Sequence, residues 1–180
     1  GESQGFRVGK LGCKSETAVC LVKAFKETAQ RILNYIDNNL SDRANGGFYS
    51  SQDADEEYYK VSHIERQRKP KPRVDKTLYT NYNAMMISSY LLASVVSENP
   101  VYERFAVKTA NLLLEKSFKP KEGMCHFISD GEPHLTTLLT DQAHMLKALV
   151  DVYQWTQERT FLHNAESIAG LMLENLWRDK

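Results

Sequence analysis

Cysteine is scarce in this chain: Cys13, Cys20 and Cys125 are all there is, with no Cys-x-x-Cys among them. An odd number at such spacing argues against a disulfide framework, a thiolate zinc site and a thioredoxin-type redox pair. Cys20 falls in an apolar helical stretch and reads as a small core residue, so a reducing, cytoplasmic setting is expected. Net charge is also missing. Lys+Arg and Asp+Glu both number 23, which leaves no overall field to draw nucleic acid or an anionic membrane. Long apolar runs are absent too: the stretch Met85–Val96 is interrupted by Ser88, Ser89 and Ser94. Nothing approaches the roughly 20 residues of a membrane span. The opening Gly-Glu-Ser-Gln-Gly lacks the basic-then-apolar order of a secretory signal. None of the five histidines stands at His-x-x-x-His spacing, so no metal and no cofactor are expected.

What the chain does have is ordinary globular composition, 42% hydrophobic and 26% charged over 180 residues, enough for one domain or part of a larger one. It also has an internal repeat. Leu78-Tyr79-Thr80-Asn81-Tyr82-Asn83-Ala84-Met85-Met86 lies over Leu138-Leu139-Thr140-Asp141-Gln142-Ala143-His144-Met145-Leu146, with Leu, Thr and Met at matching offsets. Each segment opens a long amphipathic run. A polar turn follows, Ser97-Glu98-Asn99-Pro100 in one and Thr156–Thr160 in the other, and then a second run ends at Phe118 or Trp177. The unit is helix, short turn, helix, recurring after about sixty residues.

The stretch Thr17–Leu40, with Val22, Phe25, Ala29, Ile32, Leu33 and Ile36 at helical spacing, supplies only the second half of an earlier unit. The predicted organisation is a helix over 17–40, a long polar connection over 41–79, and a helical hairpin over 80–118. A second connection over 119–139 and a second hairpin over 140–177 complete it. The fold class is all-α, an α/α-hairpin repeat. Thr80 and Thr140 are placed to cap the first helix of each hairpin. Gly46-Gly47 and Gly123 sit where helix C-caps would need a left-handed residue. The segment Asp53–Arg73, acidic at its start and basic toward its end, reads as a solvated connection.

Such an array has two edges. The short turns within hairpins share one; the longer, glycine-bearing connections share the other and converge at the N-termini of the first helices. Those termini carry partial positive charge and unpaired N–H groups, and suit carboxylates or polar ligands. The rim formed by 46–55, 75–83 and 126–141 is therefore the expected functional edge.

The motif Gly46-Gly47-Phe48-Tyr49-Ser50-Ser51-Gln52-Asp53-Ala54-Asp55, the segment Asp75–Ile87 and the stretch Leu139-Thr140-Asp141-Gln142-Ala143 together resemble thioredoxin-domain-containing proteins that carry a C-terminal helical toroid. The resemblance implies a partial (α/α)6 toroid, similar to those of N-acylglucosamine 2-epimerases and several glycoside hydrolases. It departs in three ways. No thioredoxin-like domain is present, Tyr82 stands where the family usually has Trp, and five helical runs replace the roughly twelve of a closed ring. The open ends would be covered by the rest of a full-length chain or by further copies.

On this reading Asp53, Asp55 and Asp141 are the candidate catalytic carboxylates, able to act as an acid–base pair. Each has a structural alternative, Asp141 as a helix-dipole partner and Asp53 and Asp55 as turn formers. Tyr49, Asp75, Tyr82, Asn83, His126 and Gln142 are the candidate ligand contacts, with the tyrosines offering stacking surfaces. His126 is either a proton carrier beside His134 and His144 or an outward residue of a short strand. The expected ligand is a carbohydrate-like polar small molecule, with sugar isomerisation or hydrolysis in the intact protein. A non-catalytic binding module of a larger thioredoxin-domain protein is the alternative.

Overall fold

The computed structural model describes residues 16–136 and 138–176. Five long helices carry the architecture: α1 (Glu16–Asn39), α4 (Thr80–Ser97), α5 (Pro100–Ser117), α6 (Leu139–Thr156) and α7 (Arg159–Asn175). Between them lie the short α2 (Glu56–Lys60) and α3 (His63–Arg66). The strands are β1 (Ser51–Gln52), β2 (Val74–Asp75), β3 (Leu78–Tyr79), β4 (Phe118–Lys119), β5 (Gly123–Ser129) and β6 (Glu132–Thr136). Among the described residues no helix is long and apolar enough to cross a membrane.

The helices form two layers. α4 packs against both α5 and α6, and α6 against both α4 and α7, while α5 and α6 barely touch. α4 and α6 therefore stand side by side, each backed by the second helix of its own hairpin. Tyr90 and Leu91 of α4, Leu113 of α5, Leu149 of α6 and Phe161 and Ile168 of α7 are closed off in the shared core. The hairpin turns are tight because a single left-handed residue ends each first helix, Glu98 at φ 54° and Gln157 at φ 61°. Asn99 then accepts from the Val101 N–H at 3.1 Å, and Pro100 starts α5 where a missing N–H costs nothing.

The other edge is built by a device that occurs twice. After α1 the chain reverses and Ser41 bridges Phe48; after α5 it reverses and Phe118 pairs with Met124. The side-chain amide of Asn83 then holds both backbone groups of Phe48, accepting from its N–H at 2.7 Å and donating to its carbonyl at 3.0 Å. Gln142 does the same for Met124, at 2.8 and 2.9 Å. Asn83 and Gln142 are each the fourth residue of their helix, so they are the true repeat partners. That pairing is one position out of step with the alignment of Leu78 over Leu138. Glycine is required at the reversal: Gly123 has φ +82°, and a Cβ there would lie 2.5 Å from Gln142 Oε1.

Three sequence expectations change. Gly46, Gly47 and Gly123 serve these reversals rather than helix C-caps, since α1 already ends at Asn39 and α5 at Ser117. Thr80 and Thr140 lie inside their helices, whose N-caps are Tyr79 and Leu138 with no capping side chain. Thr80 is fully buried and donates its hydroxyl to the Cys125 carbonyl at 2.6 Å, a long-range acceptor that local capping rules do not see. Cys20 is exposed, because the apolar face of α1 has few neighbours: Leu21, Val22, Phe25 and Ile32 are all at least half exposed. Cys13 and Trp177 lie outside the described residues.

The long connection is more structured than a solvated loop. β1 and β2 pair across it, Asp55 caps α2 through the Tyr58 N–H at 2.9 Å, and Ser62 and Glu65 form a reciprocal capping box on α3. A groove of about 710 Å³, walled by Ile32, Leu33, Met86, Leu92 and Val96, separates α1 from α4.

Candidate functional site

β5 and β6 form a hairpin laid over the N-termini of α4 and α6, with β3 pairing along its other side. This arrangement brings His126 of β5 against Asp141 in the first turn of α6, with Nδ1 and Oδ2 2.9 Å apart. Asp141 is completely shielded from solvent, while the His126 side chain is 23% exposed. The second carboxylate oxygen accepts from the backbone N–H of Asn81 at 3.2 Å, at the start of α4. One buried carboxylate thus ties together two inner helices and the hairpin. An ionised carboxylate can only accept, so it places a proton on Nδ1 and leaves Nε2 as the remaining ring nitrogen.

Burial pushes the Asp141 carboxyl above its ordinary value, opposed by the hydrogen bond and charge of His126, by the Asn81 N–H and by His144. A carboxyl raised on folding stabilises fully below its unfolded value of 3.8, and that stabilisation is lost as pH rises through the higher folded value. Asp141→Asn removes the titration but keeps an acceptor. Relative to this variant, the wild type is therefore expected to lose thermal stability as pH rises from below 3.8 toward neutrality. Melting curves of both proteins across that range check it; a wild type that gains on the variant with rising pH contradicts the assignment.

Aromatic rings surround the pair. Tyr79 lies edge-on to His126 at 5.2 Å and beside Tyr82 at 5.6 Å, and Phe127 stacks on His134 at 4.9 Å. Tyr82 is 53% exposed, an open aromatic surface that Tyr79 links to the partly exposed imidazole.

The other predicted residues divide cleanly. Asn83 and Gln142 are buried in the backbone clamps described above. Asp75 accepts from the Thr77 N–H and hydroxyl at 3.0 and 2.8 Å, bonds that hold its carboxyl low. Tyr49 lies 5.8 Å beneath the Lys76 ammonium, and burial and the neighbouring Asp42 raise its phenol. Asp53 and Asp55 are exposed, and Asp55 caps α2. Neither makes a contact with Asp141 or His126 among the described residues, so the three carboxylates do not form one cluster. The histidine and Asp141 were each visible in the sequence; their pairing was not. Tyr79 shows in the sequence as an aromatic beside Tyr82, whereas the Asn81 contribution is a backbone N–H and leaves no side-chain signal.

No family model matches the chain, and no curated protein matches it. Solved structures do. Cellobiose 2-epimerase from Bacillus thermoamylovorans superposes with a TM-score of 0.65 at 20% identity, over 89% of this chain and 38% of that one. A sugar epimerase from a ruminal bacterium gives 0.64 at 14% identity, over 83% and 37%. Cellobiose 2-epimerase from Spirochaeta thermophila gives 0.60 at 16%, over 92% and 39%. The chain has the predominantly helical α/α-toroid fold of these proteins. It spans well under half of their length.

Proposed function

We propose that this chain is part of an α/α-toroid protein whose inter-hairpin rim binds a carbohydrate-like small molecule and, in the intact protein, isomerises it. The carrying observation is the Asp141–His126 pair: a buried carboxylate that orients a partly exposed imidazole against Tyr79, which in turn meets the open ring of Tyr82. His126 is the group placed to move a proton, and Asp141 acts through it as a positioning residue. His144, one turn along α6 and close enough to act on the charge of Asp141, is a second proton carrier on the same rim. Tyr82 and Tyr79 supply ring surfaces on which a sugar stacks.

Isomerisation fits this geometry better than hydrolysis. Glycoside hydrolysis requires two carboxyl groups facing each other across the scissile bond. Among the described residues the groups that act most on Asp141 are two histidines and an amide N–H. Epimerisation next to a carbonyl instead needs a base that removes a proton from carbon and a group that returns it, which imidazoles do near neutral pH. The Gly46–Asp55 and Asp75–Ile87 motifs support placing the chain with toroid-bearing thioredoxin-domain proteins. In that setting the α1–α4 groove receives the preceding inner helix of the intact chain. The bare face of α4 lies opposite its contact with α6, where the repeat places another inner helix. A stable dimer formed through this groove would instead point to a second copy.

The test is to incubate the intact protein with aldoses and cello-oligosaccharides in D2O and follow the sugar by NMR. Deuterium entering at the carbon beside the carbonyl is expected. Saturable binding without exchange would favour the non-catalytic module, and neither binding nor exchange would remove the carbohydrate reading.

A further inference from the structure

The long connection folds back on the end of α1 and, with it, lines a separate cavity of about 350 Å³ whose walls include neither Asp141 nor His126. That is within the size range of small-molecule pockets. Its lining has a one-sided chemistry. Arg66, Lys69 and Lys71 face it together with Tyr35, Tyr58 and Tyr59, and no aspartate or glutamate lines it. Among the described residues the two ammonium groups have neutral hydrogen-bond acceptors: Lys71 donates to Asn39 Oδ1 at 2.9 Å and Lys69 to the Glu57 carbonyl at 3.4 Å. The carboxylate of Glu65, which feels the charge of Lys69, is engaged with the Ser62 N–H and hydroxyl.

Arg66 is the decisive residue. Its Nε is buried with no hydrogen-bond partner, and its guanidinium lies 5.7 Å from the centre of the Tyr59 ring. The side chain is only partly buried and no ion pair holds its guanidinium among the described residues, so its charge is open to an incoming oxyanion. The walls are already fixed around it. Tyr35 donates to Gln52 Oε1 at 2.6 Å, Gln52 donates on to the Pro72 carbonyl at 3.1 Å, and Tyr58 and Tyr59 meet edge to face at 5.1 Å. Tyrosine hydroxyls and planar ring faces beside three cations, none held in an ion pair among the described residues, describe a site for an oxyanion attached to a ring.

We propose that this cavity is a second, anion-selective site that takes a small ring-bearing oxyanion, a phosphate ester or carboxylate, with Arg66 as its principal contact. The planar guanidinium fork matches either group, and the two lysines add charge without fixing geometry. The proposal is independent of the isomerase reading, since none of these residues touches His126 or Asp141.

Calorimetric titration of the intact protein with glucose 6-phosphate, glucuronate, inorganic phosphate and glucose tests it. Glucose 6-phosphate or glucuronate is expected to bind with an affinity that falls as salt is added, and glucose to show no binding at this site. The stronger of the two charged sugars identifies the oxyanion. Arg66→Met is expected to weaken that ligand roughly 10–100-fold, the scale of a lost hydrogen bond to a charged group, with Arg66→Lys intermediate. Lys71→Met is expected to reduce affinity less and to flatten the salt dependence. Circular dichroism of each variant shows whether the fold is kept, and Lys71→Met gives an independent reading if Arg66→Met loses it. The proposal is overturned if no oxyanion binds at millimolar concentration. Equal binding of glucose at this site, or unchanged oxyanion binding in the folded variants, overturns it too.

Discussion

Replacing His126 with asparagine is expected to lower kcat for the sugar isomerisation proposed for the intact protein by about 10²–10⁴-fold, the usual contribution of a positioned general acid–base group. KM should change much less, because the stacking surface of Tyr79 and Tyr82 survives. The side chain is partly open to solvent, and the asparagine amide keeps an N–H that can donate to the buried Asp141 carboxylate, so the fold should tolerate the change. Asp141→Asn is expected to behave differently. It leaves a hydrogen-bond acceptor beside Nδ1 but no charge to hold the imidazole in one tautomer. Activity should fall by a smaller factor, and the pH–rate profile should shift. A purely structural Asp141 would lower stability without moving that profile. Steady-state kinetics of both variants across pH separates the two roles.

The largest effect on stability is expected at Asn83. Its amide makes three hydrogen bonds inside the core, two to the backbone of Phe48 and one to the Tyr79 carbonyl at 2.9 Å. Phe48 in turn packs edge-on against Tyr90 and Phe105, at 4.7 and 5.1 Å. Asn83→Ala leaves a buried N–H and two buried carbonyls without this partner. A cost of about 2–4 kcal/mol follows from unsatisfied backbone groups. For a chain of this size that corresponds to a fall in Tm of roughly 5–15 °C. Asn83→Asp should be at least as damaging, since a carboxylate oxygen would face two carbonyls where a donor stood. Gln142→Ala should show the same behaviour at Met124. Thr140→Ala, on the exposed start of α6, should stay within about 0.5 kcal/mol. Thermal and urea melts of the four variants check the ranking; equal small shifts at Asn83 and Thr140 would contradict the clamp.

The two hairpins and their short turns were legible because both depend on local signals: helical spacing of apolar residues, and Pro100 after a polar break. The edge where the connections are long and hold glycine was legible for the same reason. Interactions closed over distance were not. Thr80 looks like a cap until β5 brings the Cys125 carbonyl within reach of its hydroxyl. Asn83 and Gln142 look like ligand contacts because they are polar and near a helix start. What decides their role is the carbonyl and N–H of a residue in the preceding reversal, and no local rule supplies that. Cys20 was read as core from its apolar neighbours along α1, yet the face it shares is largely uncovered. The basic run from Arg66 to Arg73 reads as solvated until Tyr35 and the Tyr58–Tyr59 pair are seen to wall it in.

The central claim is that the rim at His126 receives a sugar. It is tested most directly by NMR of the intact protein with labelled histidine and tyrosine, titrated with cellobiose and its constituent aldose. Saturable shifts of the His126 and Tyr82 ring signals, with His163 on α7 unmoved, are the predicted result. Signals of His126 and Tyr82 that stay fixed while other rings move, or no movement with either sugar, would contradict it.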